Sequence, residues 1–100
     1  MPLPDPKSRR IPLDEAAAMT RRYRESMHKG WMFLRKDLDE LLAQPGCAGM
    51  RFYYGLNDKG ENGLVMVGVD RDGNDMVKGV LLDDGFPCPI WCGDGNSLNS

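Results

Sequence analysis

The sequence predicts an α+β domain: two N-terminal helices packed on an antiparallel sheet of three strands, or four, followed by an irregular cysteine-containing tail. Three observations predict this class. Apolar residues recur at three- and four-residue spacing in the first 42 residues, and the period then switches to two. The period-two segments are joined by short connections rich in Gly, Asn and Asp, which favour hairpins over crossovers. A chain of 100 residues, 41% hydrophobic and 28% charged, has material for one core and is not of disordered composition.

Residues 1–11 contain Pro2, Pro4 and Pro6 and no apolar periodicity, so they read as a flexible arm. The first helix is expected after Pro12. Leu13, Ala16, Thr20, Tyr23 and Met27 share one face, and Asp14 and Glu15 occupy the first turn, where the helix dipole favours acids. Gly30 is the natural stop. Residues 31–34 form a short aromatic run, read as a strand or an extended linker. A second helix is expected from Asp37, whose spacing to Glu40 is that of a capping box, with Leu38, Leu41 and Leu42 as its apolar face. Pro45 ends it.

Met50, Phe52 and Tyr54 then alternate with Arg51 and Tyr53, which predicts a strand with the first set facing the core. Residues 57–62 and 70–75 are turns, the second with an Asp-Gly pair. Between them, residues 64–69 are almost continuously apolar and read as a central strand. Residues 76–82 supply a third strand. The domain is thus expected over residues 12–85, with a tail over 86–100. The Gly/Asn/Ser-rich end from 93 to 100 has too little apolar content to order itself.

The net charge of −2 argues against a dedicated nucleic-acid binder, and no run approaches the length of a membrane helix. The charge is uneven. Residues 1–36 carry nine Lys or Arg against four acids, and residues 37–100 carry four against eleven. A solvated basic helix beside acidic loops accounts for this. No apolar stretch follows the first charges, so a cytoplasmic location without a secretory signal is expected.

Four groups of residues could carry chemistry. Cys88 and Cys92, spaced C-x-x-x-C, could be a disulfide or redox pair, soft metal ligands, or small apolar residues pinning the tail beside Phe86, Ile90 and Trp91. Zinc would need four ligands, with Cys47 and His28 to complete the set, and no spacing brings those together, so no cofactor is expected and zinc is only a weak alternative. The acidic run 70–75 resembles a calcium loop in composition, but Gly73 stands fourth and Leu81 twelfth, where a calcium loop needs a glycine sixth and a glutamate twelfth. Arg21, Arg22, Tyr23 and Arg24, with His28, could touch phosphates, yet Tyr23 belongs to the expected core stripe. Arg51 and Tyr53 share one strand face and could pair with an acid there or form part of a binding surface. The signatures of phosphate loops, nucleophile elbows and zinc proteases are missing, which leans against catalysis.

The order of several segments resembles that of small bacterial proteins of Bacteroidetes-type genomes. The segments are Ile11-Pro12-Leu13-Asp14-Glu15-Ala16, Gln44-Pro45-Gly46-Cys47, Arg51-Phe52-Tyr53-Tyr54-Gly55, Val67-Gly68-Val69-Asp70 and the Cys-Pro-x-x-Cys end at Cys88 to Cys92. The resemblance implies a stand-alone bacterial domain and brings no activity with it.

The function expected is a non-enzymatic protein-interaction module that offers its Cys-Pro-Ile-Trp-Cys tail to a protein partner, with Trp91 as anchor. Its partner-binding candidates are Phe86, Ile90, Trp91, Arg51 and Tyr53. The alternatives are thiol redox or metal chemistry at Cys88 and Cys92, with Cys47 as a weaker ligand, and a tail that is itself modified. A homodimer through a sheet edge is open. Neither nucleic acid nor membrane is expected as a partner.

Overall fold

A computed structural model describes residues 3–23 and 29–99. The class is α+β, with two helices and two antiparallel sheets among the described residues. The chain divides into two compact units, the described residues of Met1–Pro6 with Phe33–Gly85, and those of Lys7–Met32 with Phe86–Ser100. The first helix groups with the tail and not with the three-stranded sheet. No described helix is long and apolar enough to cross a membrane.

The first unit holds helix α2 (Arg35–Leu42) and strands β2 (Cys47–Leu56), β3 (Asn62–Asp70) and β4 (Leu81–Leu82), in the order β2-β3-β4. The helix starts two residues before Asp37, with Leu34 as its N-cap and no side-chain cap. Asp37 therefore lies in the first turn, where it meets the helix dipole rather than capping it. Leu41 is the one fully buried large side chain among the described residues, at 0% exposure. Leu42, expected on the same face, is exposed.

Two loops of the same design bound β3. Asn57 Oδ1 accepts the N–H of Lys59 and of Glu61, and Asp70 Oδ1 accepts those of Asp72 and Asn74. In both, the glycine at the fourth place has positive φ, +78° at Gly60 and +83° at Gly73. Each glycine N–H bonds back to the first residue's carbonyl. This is a three-residue hairpin loop closed by a glycine bulge. The acidic run 70–75 thus spends its first carboxylate on backbone donors.

Residues 76–82 do not form one strand. Asp75 bridges Val69 and the Met76 N–H bonds to the Gly68 carbonyl, but the chain then turns at 77–79 and rejoins β3 only at Leu81 and Leu82. Gln44 fills the interruption. Its Nε2 donates to the Leu41 carbonyl at 2.8 Å, and its Oε1 accepts the Val80 N–H at 2.8 Å. A Cβ on Gly79 would collide with Gln44 Oε1, and one on Gly68 would lie 2.9 Å from Gln44 Nε2. A glutamine read from the sequence only as a helix end therefore joins α2 to the far edge of the sheet. Cys47 is a free thiol, half-buried, and donates to the Gly49 carbonyl.

The second unit holds α1 (Leu13–Arg22) and the short strands β1 (Gly30–Met32) and β5 (Phe86–Cys88), paired antiparallel as Gly30↔Cys88, Trp31↔Pro87 and Met32↔Phe86. The helix ends at Arg22, before the expected stop at Gly30, which instead opens β1. Of its expected stripe, Leu13 and Tyr23 are exposed and Ala16 and Thr20 half-buried, and the buried residue of the helix is Ala17, outside that stripe. Met27, Arg24 and His28 lie outside the described residues.

The tail is more ordered than its composition predicts. Asn99 Nδ2 donates to the carbonyls of Cys92 and Asp94, and Asn99 Oδ1 accepts the Asn96 N–H. Lys29 Nζ donates to the Asn99 carbonyl at 2.7 Å. Asparagine side chains supply here the fixed contacts that the absent apolar residues do not.

Candidate functional site

Cys88 and Cys92 are joined by a disulfide, with their Cα atoms 4.7 Å apart. Cys88 is buried at the end of β5, anchored by the pairing of that strand with β1. The bond closes a five-residue loop, Cys88-Pro89-Ile90-Trp91-Cys92, whose first peptide bond is cis. Three further contacts fix it. The Trp91 N–H donates to the Pro87 carbonyl at 2.8 Å. The rings of Phe86 and Trp91 meet edge to face, with centroids 5.4 Å apart and planes at 73°, an attractive aromatic geometry. Asn99 holds the Cys92 carbonyl.

Ile90 has φ of +148°, a region β-branched residues avoid. A residue is kept in such a conformation only when its surroundings over-determine it. Here the disulfide and the Pro87–Trp91 hydrogen bond lie on either side of it. The result is that Ile90 and Trp91 are held outward, with exposures of 81% and 56%. Trp91 meets the Phe86 ring and keeps much of its indole in water.

The other partner-binding candidates lie in the first unit. Asp75 is the acid that Arg51 finds: its carboxylate accepts Arg51 Nη1 on one oxygen and the Tyr53 hydroxyl on the other. Arg51 Nη2 also donates to the Gly73 carbonyl. Arg51 and Tyr53 stand on β2, whereas Asp75 bridges β3 from its opposite side. Both side chains therefore cross the β3 surface on the side of Val67 and Val69, which are buried. The Tyr53 hydrogen bond, with that of Arg51, holds the Asp75 carboxyl below its usual range, and Asp75 raises Arg51 in return. These polar heads are committed to one another, so the pair reads as a clamp across the sheet.

The opposite face of β2 departs from expectation. Phe52 and Tyr54, expected inward, are 57% and 94% exposed, while Met50 is half-buried. Period two correctly predicts which residues share a face, but the cover reaches only one end of it.

Among the described residues, no three His, Cys, Asp or Glu side chains gather as a metal site requires. In the disulfide, Cys88 and Cys92 offer no thiolate, and Cys47 lies in the other unit. A depression of ≈ 240 Å³ in the second unit is lined by Met19, Thr20, Tyr23, Lys29 and Leu98. Among the described residues its lining has no carboxylate, thiol or imidazole, and the one cation there, Lys29, is bonded to Asn99. Comparison with family models, with curated proteins and with solved structures finds no match for this chain.

Proposed function

We propose that this chain is a protein-interaction module that presents Ile90 and Trp91 from the disulfide-closed loop to an apolar pocket on a protein partner. The observation that carries this reading is a large aromatic and a branched aliphatic side chain held outward on a short loop fixed at both ends. Tryptophan is enriched among the residues that dominate binding energy. A loop fixed in advance loses little conformational freedom on binding, so more of the contact energy remains as affinity. Arg51 and Tyr53, engaged with Asp75, play no part in this contact.

The test is capture of partners by the full chain, by the Trp91→Ala and Ile90→Ala variants, and by wild type under reductant. A partner retained by the oxidised wild type and lost from Trp91→Ala supports the reading. Identical partner sets from wild type and both variants would sink it.

The disulfide itself supports a second reading, thiol redox chemistry at Cys88 and Cys92. A cytoplasmic location, expected from the sequence, keeps most thiols reduced, so there the bond would be conditional. Equilibration of the protein with defined thiol–disulfide buffers separates the two readings. A reduction potential below about −300 mV marks a structural bond, and one near the glutathione poise marks a redox-active pair.

A further inference from the structure

The two edges of the three-stranded sheet differ. β4 is two residues long and guarded by a turn, as protected edges usually are. β2 is ten residues long and, among the described residues, pairs with β3 alone. Between Cys47 and Leu56 it has no proline, lysine or acid. Its single charge, Arg51, is matched by Asp75 of the same chain. Of the usual devices that discourage edge pairing, only a bulge is present, and it lies between Cys47 and Gly49 at the start of the strand, outside the stretch from Met50 to Leu56.

The register of the hairpin shows which backbone groups are free. The Asn57 N–H donates to the Glu61 carbonyl, and the Gly60 N–H to the Asn57 carbonyl, so Asn57 bonds across the hairpin. Bonding alternates along an antiparallel strand. Gly55, Tyr53 and Arg51 therefore bond to β3, and Leu56, Tyr54, Phe52 and Met50 direct their N–H and C=O groups outward.

We propose that a second copy of this chain pairs with that edge, β2 against β2, about a two-fold axis through Tyr53. In this register Phe52 faces Tyr54 of the second copy, and Met50 faces Leu56, each pair twice. Every outward-directed residue from Met50 to Leu56 meets another, and the four pairs exchange two hydrogen bonds each. Both aromatic pairs lie on the face where Phe52, Tyr54 and Leu56 are exposed. Arg51 falls opposite Gly55, so the two arginines do not oppose each other. Phe52, Tyr54 and Leu56 are 57%, 94% and 70% exposed, so this face has apolar surface to cover when the strands pair. The product is one six-stranded sheet.

Sedimentation of the full chain over a concentration series tests this, beside Tyr54→Lys, whose folding is checked by circular dichroism. Wild type should pass from monomer to dimer. Tyr54→Lys removes two aromatic pairs per dimer and should weaken dimerisation about tenfold or more. A second measurement places Tyr53→Cys or Met50→Cys in a Cys47→Ser background under mild oxidation. Cys at 53 meets itself at the axis, where facing Cα atoms are close enough for a disulfide, and should cross-link about tenfold faster than Cys at 50. A wild type that stays monomeric throughout, a Tyr54→Lys variant that dimerises equally well, or equal cross-linking at 50 and 53 would each overturn the proposal.

Discussion

In the sheet unit Leu41, Met66, Val67 and Val69 are buried, whereas in the other unit only Ala17 and Cys88 are, among the described residues. The first is held as larger domains are, by apolar side chains between a helix and a sheet, with Gln44 tying the last turn of α2 to Val80. The second pairs only two three-residue strands, which alone are marginal in water. It relies on a covalent bond, asparagine side chains and the aromatic contact of Phe86 with Trp91. A short chain can thus order a segment poor in apolar residues, provided local links replace the missing core. Such a segment depends on conditions that the sheet does not feel.

Both tryptophans, Trp31 and Trp91, belong to the second unit, so tryptophan emission reports on it while hydrogen exchange of β2 and β3 reports on the sheet. The largest expected effect is from Leu41→Ala. Truncating the fully buried leucine should cost about 2–5 kcal/mol and lower amide protection throughout β3. Unchanged protection would mean that the sheet does not depend on its helix.

The next effect should come from replacing both Cys88 and Cys92 by serine. Closing so short a loop restricts the unfolded chain by about 2 kcal/mol. The tryptophan transition should move to lower denaturant by that amount while exchange in β3 stays as it was. Equal loss in both probes would erase the distinction between the units.

The smallest effect concerns Asp75. Its carboxyl is held below the usual range by Tyr53 and Arg51, so its contribution to stability is present above the unfolded-state value and is lost as pH falls through the lower folded one. Asp75→Asn should flatten the acid limb of the sheet's stability below the ordinary carboxylate range and leave the tryptophan transition unmoved. An acid limb identical to wild type would show that the clamp is electrostatically idle.

The hairpins were the most legible part of the sequence, because Asn57 with Gly60 and Asp70 with Gly73 encode their loops within five residues. The α+β class and the burial of Leu41 followed from spacing. The exposure of Phe52 and Tyr54 did not, since alternation says nothing about what covers a face. An eight-residue helix is about 12 Å long, against about 33 Å for a ten-residue strand, so α2 shelters one end of β2 only. The pairing of β1 with β5 joins residues more than fifty positions apart, and neither segment signals the other. At the candidate site, Cys88, Cys92 and Trp91 could be singled out by residue type and spacing. The outward hold on Ile90 depends on a backbone angle that no residue there announces.

The paired loops at the two ends of β3 have a consequence for how this chain can change. Each fixes its own end of the strand through a single Asn or Asp side chain, so β3 runs between two stops. Inserting or deleting a residue between Asn62 and Asp70 cannot be absorbed by sliding. A one-residue slip would bring Val67 or Val69 to the place of Gly68, where Gln44 leaves no room for a side chain. Variation in length should therefore collect elsewhere, and the middle strand should keep its count of residues even where their identities drift.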